Sequence, residues 1–157
     1  MNARSVIRPD RLRVILAMAA VLLCASVAPA DEAATATLTA VATGFRSDAG
    51  HALASLYDDP DGFPSKPDKA FRKVRAEIRD GRARLVFADI PPGTYGLAVI
   101  HDENDSGALD TNWVGMPKEG IGVSNDAKGR MGPPKYDAAR FEVAAPATAI
   151  TLKMKYL

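Results

Sequence analysis

The chain predicts one all-β domain, a single antiparallel β-sandwich of about seven strands with one long irregular loop. Three observations lead there. Short stretches alternate apolar and polar residues with the period of a half-buried strand. Clusters of Gly, Pro and Asp separate them. No stretch carries the apolar spacing of a long amphipathic helix.

Residues 36–45 place Leu38, Ala40 and Ala42 on one face and Thr39, Val41 and Thr43 on the other. Residues 46–50 read as a turn, and His51–Tyr57 as the returning strand. Three prolines and a glycine make residues 58–70 a loop. Val74, Ala76 and Ile78 then alternate with Arg75, Glu77 and Arg79. Asp80-Gly81 is the two-residue signal of a tight hairpin, whose central positions both want positive φ. The partner strand, residues 82–87, directs Ala83, Leu85 and Phe87 inward. Pro91-Pro92-Gly93 breaks the chain before a strand marked by Tyr95, Leu97 and Val99, which runs to His101. Residues 139–144 and 148–156 supply the last two strands, with Ile150, Leu152, Met154 and Tyr156 on one face. Frequent turns between short alternating strands are the pattern of an immunoglobulin- or transthyretin-like sandwich.

The first thirty residues predict an export signal. Arg4, Arg8, Arg11 and Arg13 precede an apolar run of 14 residues, Val14 to Val27, which ends at Ala28-Pro29-Ala30. Basic, apolar and small-residue segments in that order are the layout of a cleavable signal peptide. A spanning helix needs roughly 20 apolar residues. A lipid anchor on Cys24 fits poorly, because Leu22 and Leu23 stand where a small residue is wanted. Cleavage after Ala30 leaves residues 31–157 as a single domain, periplasmic or secreted. Taking four arginines and Asp10 from the 20 basic and 19 acidic residues leaves 16 against 18. That near-neutral balance gives no electrostatic footprint for nucleic acid. The only cysteine leaves with the signal, so disulfides are excluded. No membrane span is expected in the mature chain.

Chemistry is concentrated in residues 102–137. Irregular connections beyond about 12–15 residues are uncommon in compact domains and are usually functional or disordered. The loop opens with oxygen-bearing side chains at alternate positions, Asp102, Asn104 and Ser106, followed by Gly107 and Asp110. Alternation with a glycine turn is the first part of a calcium loop, since hard cations take six to eight oxygens. The twelfth position, a glutamate in an EF-hand, is Trp113, and no helices flank the segment, so an EF-hand is excluded. Glu119 is the nearest further carboxylate. The candidate metal ligands are therefore Asp102, Asn104, Ser106, Asp110 and Glu119, with Ca2+ as the expected ion. The competing reading is a loop held by side-chain-to-backbone turns of the same residues.

Trp113, the only tryptophan, reads either as a stacking residue for a ligand or as a pin holding the loop to the domain. The second is favoured because large aromatics usually bury. His51 and His101 are the only histidines and show no zinc-ligand spacing. Ser124, His101 and Asp102 exist, but no nucleophile-elbow sequence surrounds the serine. His101 reads as a satisfied strand-end residue. No catalytic residue is expected.

Residues 87–104 (FADIPPGTYGLAVIHDEN) resemble the central signature of an uncharacterised bacterial exported family, domain-of-unknown-function family 2141. So do Gly115–Gly120 (GMPKEG), Gly122–Asn125 (GVSN) and Gly132-Pro133-Pro134. Asp105-Ser106 departs from the family pattern, and a serine there is a weaker ligand than a carboxylate. The resemblance implies a periplasmic or secreted location and carries no established activity. Pro91–Tyr95 is also similar to the strand-entry motif of carboxypeptidase-regulatory and transthyretin-like sandwiches. The expected function is a non-catalytic exported binding or accessory protein, meeting a protein, peptide or envelope component through a sheet edge or the loop. The alternatives are a small hydrolase of transthyretin-like fold and a purely structural envelope protein. The nearest such enzymes, the hydroxyisourate hydrolases, end in a Tyr-Arg-Gly-Ser tetrapeptide that this chain, ending Met154-Lys155-Tyr156-Leu157, lacks.

Overall fold

The computed structural model describes residues 34–130 and 132–157. The expected signal peptide and its cleavage site lie outside them. Within them the chain is all-β, with eight strands: β1 (Ala36–Thr43), β2 (His51–Tyr57), β3 (Arg72–Arg79), β4 (Arg82–Ile90), β5 (Gly93–Asp102), β6 (Ile121–Val123), β7 (Phe141–Val143) and β8 (Ala147–Lys153). One four-residue helix, α1 (Tyr136–Ala139), and two 3-10 turns, Pro67–Lys69 and Ser124–Asp126, complete it.

The strands lie on one path, β6-β5-β2-β3-β4-β1-β8, with β7 paired to the start of β5. The ends of the path meet where Ile121 and Lys155 exchange both backbone hydrogen bonds, at 2.9 and 2.8 Å. Seven strands in a two-sheet sandwich therefore give way to eight in a nearly closed, barrel-like sheet. The sheet turns over at the β3–β4 hairpin, where only Ile78↔Ala83 and Arg79↔Arg82 pair before β3 leaves to join β2 and β4 to join β1.

The sheet is also mixed. β8 runs parallel to β1 from Thr37↔Ala147 to Thr43↔Lys153, against the antiparallel expectation. A hairpin forces antiparallel pairing, whereas a strand arriving by a longer crossover is free of that constraint. β8 follows β7, which sits beside β5, and so reaches β1 by crossing from elsewhere in the sheet.

Strand alternation places the core as expected. Leu38, Ala40 and Ala42 of β1, Leu85 and Phe87 of β4, Leu97 and Val99 of β5, and Leu152 of β8 are all buried in one cluster. Asp80 and Gly81 take φ of 52° and 67°, the paired positive values of the tight hairpin turn. Asp48 accepts both of their amides, at 2.9 and 2.8 Å. β5 is covered on both sides, because Ala98 is buried on the face opposite Leu97 and Val99. β6, absent from the sequence reading, pairs with β5 through Ala98↔Val123, Val99↔Gly122 and Ile100↔Ile121. It divides the expected 36-residue loop, leaving residues 103–120 as the irregular segment that follows β5. Residues 36–157 hold every described strand and the whole core cluster.

Candidate functional site

β5 positions the site. Its period-two alternation sends His101 to one side and Asp102 to the other, and both are fully buried. Asp102 is the last residue of the strand, so the chain that leaves it folds back over its own carboxylate. Oδ1 accepts the Ser106 amide at 2.9 Å and Oδ2 accepts the Gly107 amide at 2.8 Å. Asp105 and Gly107 take positive φ, 57° and 81°, which turns the backbone so that successive amides face the carboxylate.

A second buried carboxylate, Glu119, does the same from the far end of the loop. Oε1 accepts the Glu103 amide and Oε2 the Asp110 amide, each at 2.9 Å. Asn104 links the two halves: Oδ1 accepts the Ser106 amide at 3.1 Å, while Nδ2 donates to Asp110 Oδ2 at 2.9 Å. The structure thus joins Asp102, Asn104, Ser106, Asp110 and Glu119 in one connected hydrogen-bond network. The oxygens of the two buried acids point at backbone amides. Among the described residues no three His, Cys, Asp or Glu side chains converge on a point where a metal ion would sit.

Between Asp110 and Glu119 the chain forms a small hairpin. Thr111 and Pro117 face each other as an antiparallel bridge, and Lys118 donates its amide to the Asp110 carbonyl at 2.9 Å. Asn112 organises the tip, its Oδ1 accepting the amides of Val114 and Met116 at 3.0 and 2.9 Å. Trp113 stands at that tip with 95% of its surface exposed. The expectation that it pins the loop to the domain is overturned. The buried carboxylates hold the loop, so no aromatic anchor is required.

The opposite face of the strand end carries a cluster that the sequence reading missed. His101 Nε2 lies 2.9 Å from the Ala49 carbonyl, which can only accept, so Nε2 carries the hydrogen. In the neutral ring Nδ1 then accepts from the Tyr156 hydroxyl at 2.7 Å. That hydroxyl accepts the Arg46 amide at 3.0 Å, and the Arg46 guanidinium lies 4.7 Å over the Tyr156 ring. Arg46 also grips Glu103 through two bonds, at 2.6 and 2.9 Å. His101 is a satisfied strand-end residue, as read. Its partners sit 52 and 55 positions away in the chain, where spacing arguments do not reach. His51 lies apart, at the start of β2, within 2.6 Å of Asp105 and 2.7 Å of Arg75. Ser124 is buried between β5 and α1, donating to the Ala139 carbonyl at 2.6 Å and accepting the Leu97 amide at 3.0 Å. Ser124 and His101 are each engaged with other partners.

The Arg46 guanidinium holds the Glu103 carboxyl below the ordinary glutamate value of about 4.3, with burial opposing it and the His101 ring adding to it. Burial pushes the Tyr156 hydroxyl up. A carboxyl whose folded value is lowered contributes stability above its unfolded value, and loses it as pH falls through the folded one. Unfolding midpoints should therefore be insensitive to this pair between about pH 7 and 5, then fall below about pH 4. Glu103→Gln should flatten that part of the acid limb, and its midpoint should meet that of the unaltered protein once the pH has fallen through the folded value. Both lie near the surface, so solvent screening keeps the effect small.

Among the described residues, two surface concavities stand out. One of about 470 Å³ is lined by Asp48, Gly50 and Glu77–Asp80. The other, of about 380 Å³, is lined by Pro60, Phe63 and Pro133–Asp137. Neither includes a residue of the carboxylate loop or His101.

The architecture defines a small all-β protein built on a nearly closed mixed sheet, with a carboxylate-braced loop at the end of its fifth strand. The family model of uncharacterized proteins conserved in bacteria, DUF2141, matches residues 41–151, and the chain belongs to that family. No curated protein and no solved structure matches the chain significantly. Among the described residues no helix is long and apolar enough to cross a membrane.

Proposed function

We propose that the protein is an exported, non-catalytic binding or accessory module of the cell envelope, and that the loop from Glu103 to Gly120 is its recognition surface. The observation that carries this reading is the contrast within that loop. Two buried carboxylates brace it from inside, while its tip holds the only tryptophan of the chain out in solvent. Buried polar groups are costly unless satisfied, so a network of this kind is spent on holding a shape. Exposed large aromatics are the side chains most often found at the centre of interfaces.

Against catalysis stand the positions of Ser124 and His101, both fully buried and both committed to structural partners. In this reading the loop keeps its shape without a resident ion. A calcium-organised loop would require Asp102 and Glu119 to turn from the amides they accept toward a shared cation. Export rests on the arginine-led apolar segment and the Ala28-Pro29-Ala30 site.

The test is fractionation of bacterial cells producing the full chain. A product beginning at Asp31 should travel with the envelope. The variant Trp113→Ala/Val114→Ala/Met116→Ala should be processed equally but move to the soluble exported fraction. Unprocessed chain held in the cytoplasm, or a tip variant that fractionates unchanged, would contradict the proposal.

A further inference from the structure

We propose that the edge of β4 from Arg84 to Ala88 binds an extended peptide of alternating acidic and apolar residues, adding it to the sheet as a further strand. β3 and β4 pair only through Ile78↔Ala83 and Arg79↔Arg82, next to their turn. Beyond that point β3 keeps β2 as its one ladder neighbour and β4 keeps β1. Each strand therefore carries an edge without a ladder partner.

The direction of the edge groups follows from the turn. Arg79 and Arg82 flank its two residues, where the closing pair exchanges backbone hydrogen bonds. The groups of Arg82 thus point toward β3, and strand alternation gives Arg84, Val86 and Ala88 the same direction. The Ala88 carbonyl bears this out, since Arg72 of β3 donates to it through Nη1 at 2.8 Å. Arg84, Val86 and Ala88 are all exposed, Val86 by 41%. An unpaired edge of this kind is where extended peptides add by β-augmentation.

Charge selects the peptide. β3 and β4 carry Arg72, Lys73, Arg75, Arg79, Arg82 and Arg84 against Glu77 and Asp89. Glu77 is paired with Arg79, and Arg75 with Asp105. Among the described residues, Lys73, Arg82 and Arg84 have no ion-pair partner. Like charges keep edges apart, so a second copy of this edge is repelled while an acidic strand is drawn in. Ala83, Leu85 and Phe87 point into the core, which leaves Arg82, Arg84 and Val86 on the outer face. Acids at alternate positions of the added strand would meet the two arginines there. Its inward side chains would come to Val74 and Ala76 of β3, which are only partly buried at the margin of the core. An acidic glycan would answer the arginines but leave the edge amides and carbonyls unpaired, so the occupant is a peptide.

The proposal stands on different residues from the recognition loop and does not depend on it. The chain, as bacterial cells yield it, is titrated into a labelled peptide of about eight residues alternating glutamate and valine, with fluorescence polarisation as the readout. Binding should saturate and weaken as salt rises. Arg84→Glu should weaken it at least about tenfold with an unchanged unfolding midpoint. The same peptide methylated at every backbone amide keeps its charge and should not bind. The variant Trp113→Ala/Val114→Ala/Met116→Ala should bind like the parent. No binding of the alternating peptide, or binding that survives Arg84→Glu, would overturn the proposal. Equal binding of the methylated peptide would overturn it in favour of a polyanion surface of the kind an acidic glycan uses. Loss of binding in the tip variant would place the peptide on the loop and overturn it too.

Discussion

Asp102→Ala should lower the stability of the protein by about 3 kcal/mol and its unfolding midpoint by about 10 °C. The carboxylate is fully buried and takes the amides of Ser106 and Gly107. Alanine would leave both donors facing an apolar methyl, and each unsatisfied buried group costs about 1–3 kcal/mol. Water admitted by the smaller side chain would recover part of that loss. Asp102→Asn retains an oxygen but presents a donor to one of the two amides, so it should fall between the parent and alanine. Thermal unfolding with EDTA and with added calcium checks the origin of the effect. The account expects the same loss under both conditions, because the brace consists of the loop's own amides.

Gly50→Ala should be still more damaging, above about 4 kcal/mol and enough to prevent folding at growth temperature. A Cβ on Gly50 would stand 1.9 Å from the Asp102 carbonyl oxygen and 2.8 Å from two backbone carbons of Asp102 and Glu103. Neither neighbour is a flexible side chain that could swing away. The residue also holds φ at +66°, which a side chain disfavours. Gly107→Ala separates the two causes, since Gly107 has φ of +81° and open space where its Cβ would lie. It should cost only about 1–2 kcal/mol. Urea unfolding of the two variants gives the comparison, and equal losses would show that the clash at Gly50 is relieved by backbone movement.

Gly50 and Asp102 meet at one strand end, and the site around it was only partly legible in the sequence. Strand faces were legible because alternation is written residue by residue, and Leu38, Ala40, Leu85 and Phe87 are buried as their spacing implies. The Asp80-Gly81 turn was legible because few residue pairs favour two positive φ values in succession. β6 was not, since Ile121-Gly122-Val123 is too short to establish a period. Nor was the direction of β8, which depends on where the chain crosses rather than on its own residues.

The candidate site divides the same way. Asp102, Asn104, Ser106, Asp110 and Glu119 do form one network, because alternating short polar residues around a glycine make a loop wrap on itself. What the oxygens face could not be read. Every non-proline residue carries the same amide, so backbone donors leave no mark in a sequence. Arg46 and Tyr156 were missed because they reach Glu103 and His101 from 57 and 55 positions away. Trp113 was placed inside on the ordinary tendency of large aromatics to bury, and the structure puts it at the outermost point of the loop.

The most direct test of the carboxylate brace is amide hydrogen exchange at Glu103, Ser106, Gly107 and Asp110 in EDTA. The account predicts that all four are protected without any cation, and that Asp102→Ala releases Ser106 and Gly107 first. Free exchange at these four amides in EDTA, with protection appearing only when calcium is added, would contradict it and make the loop a metal-organised site.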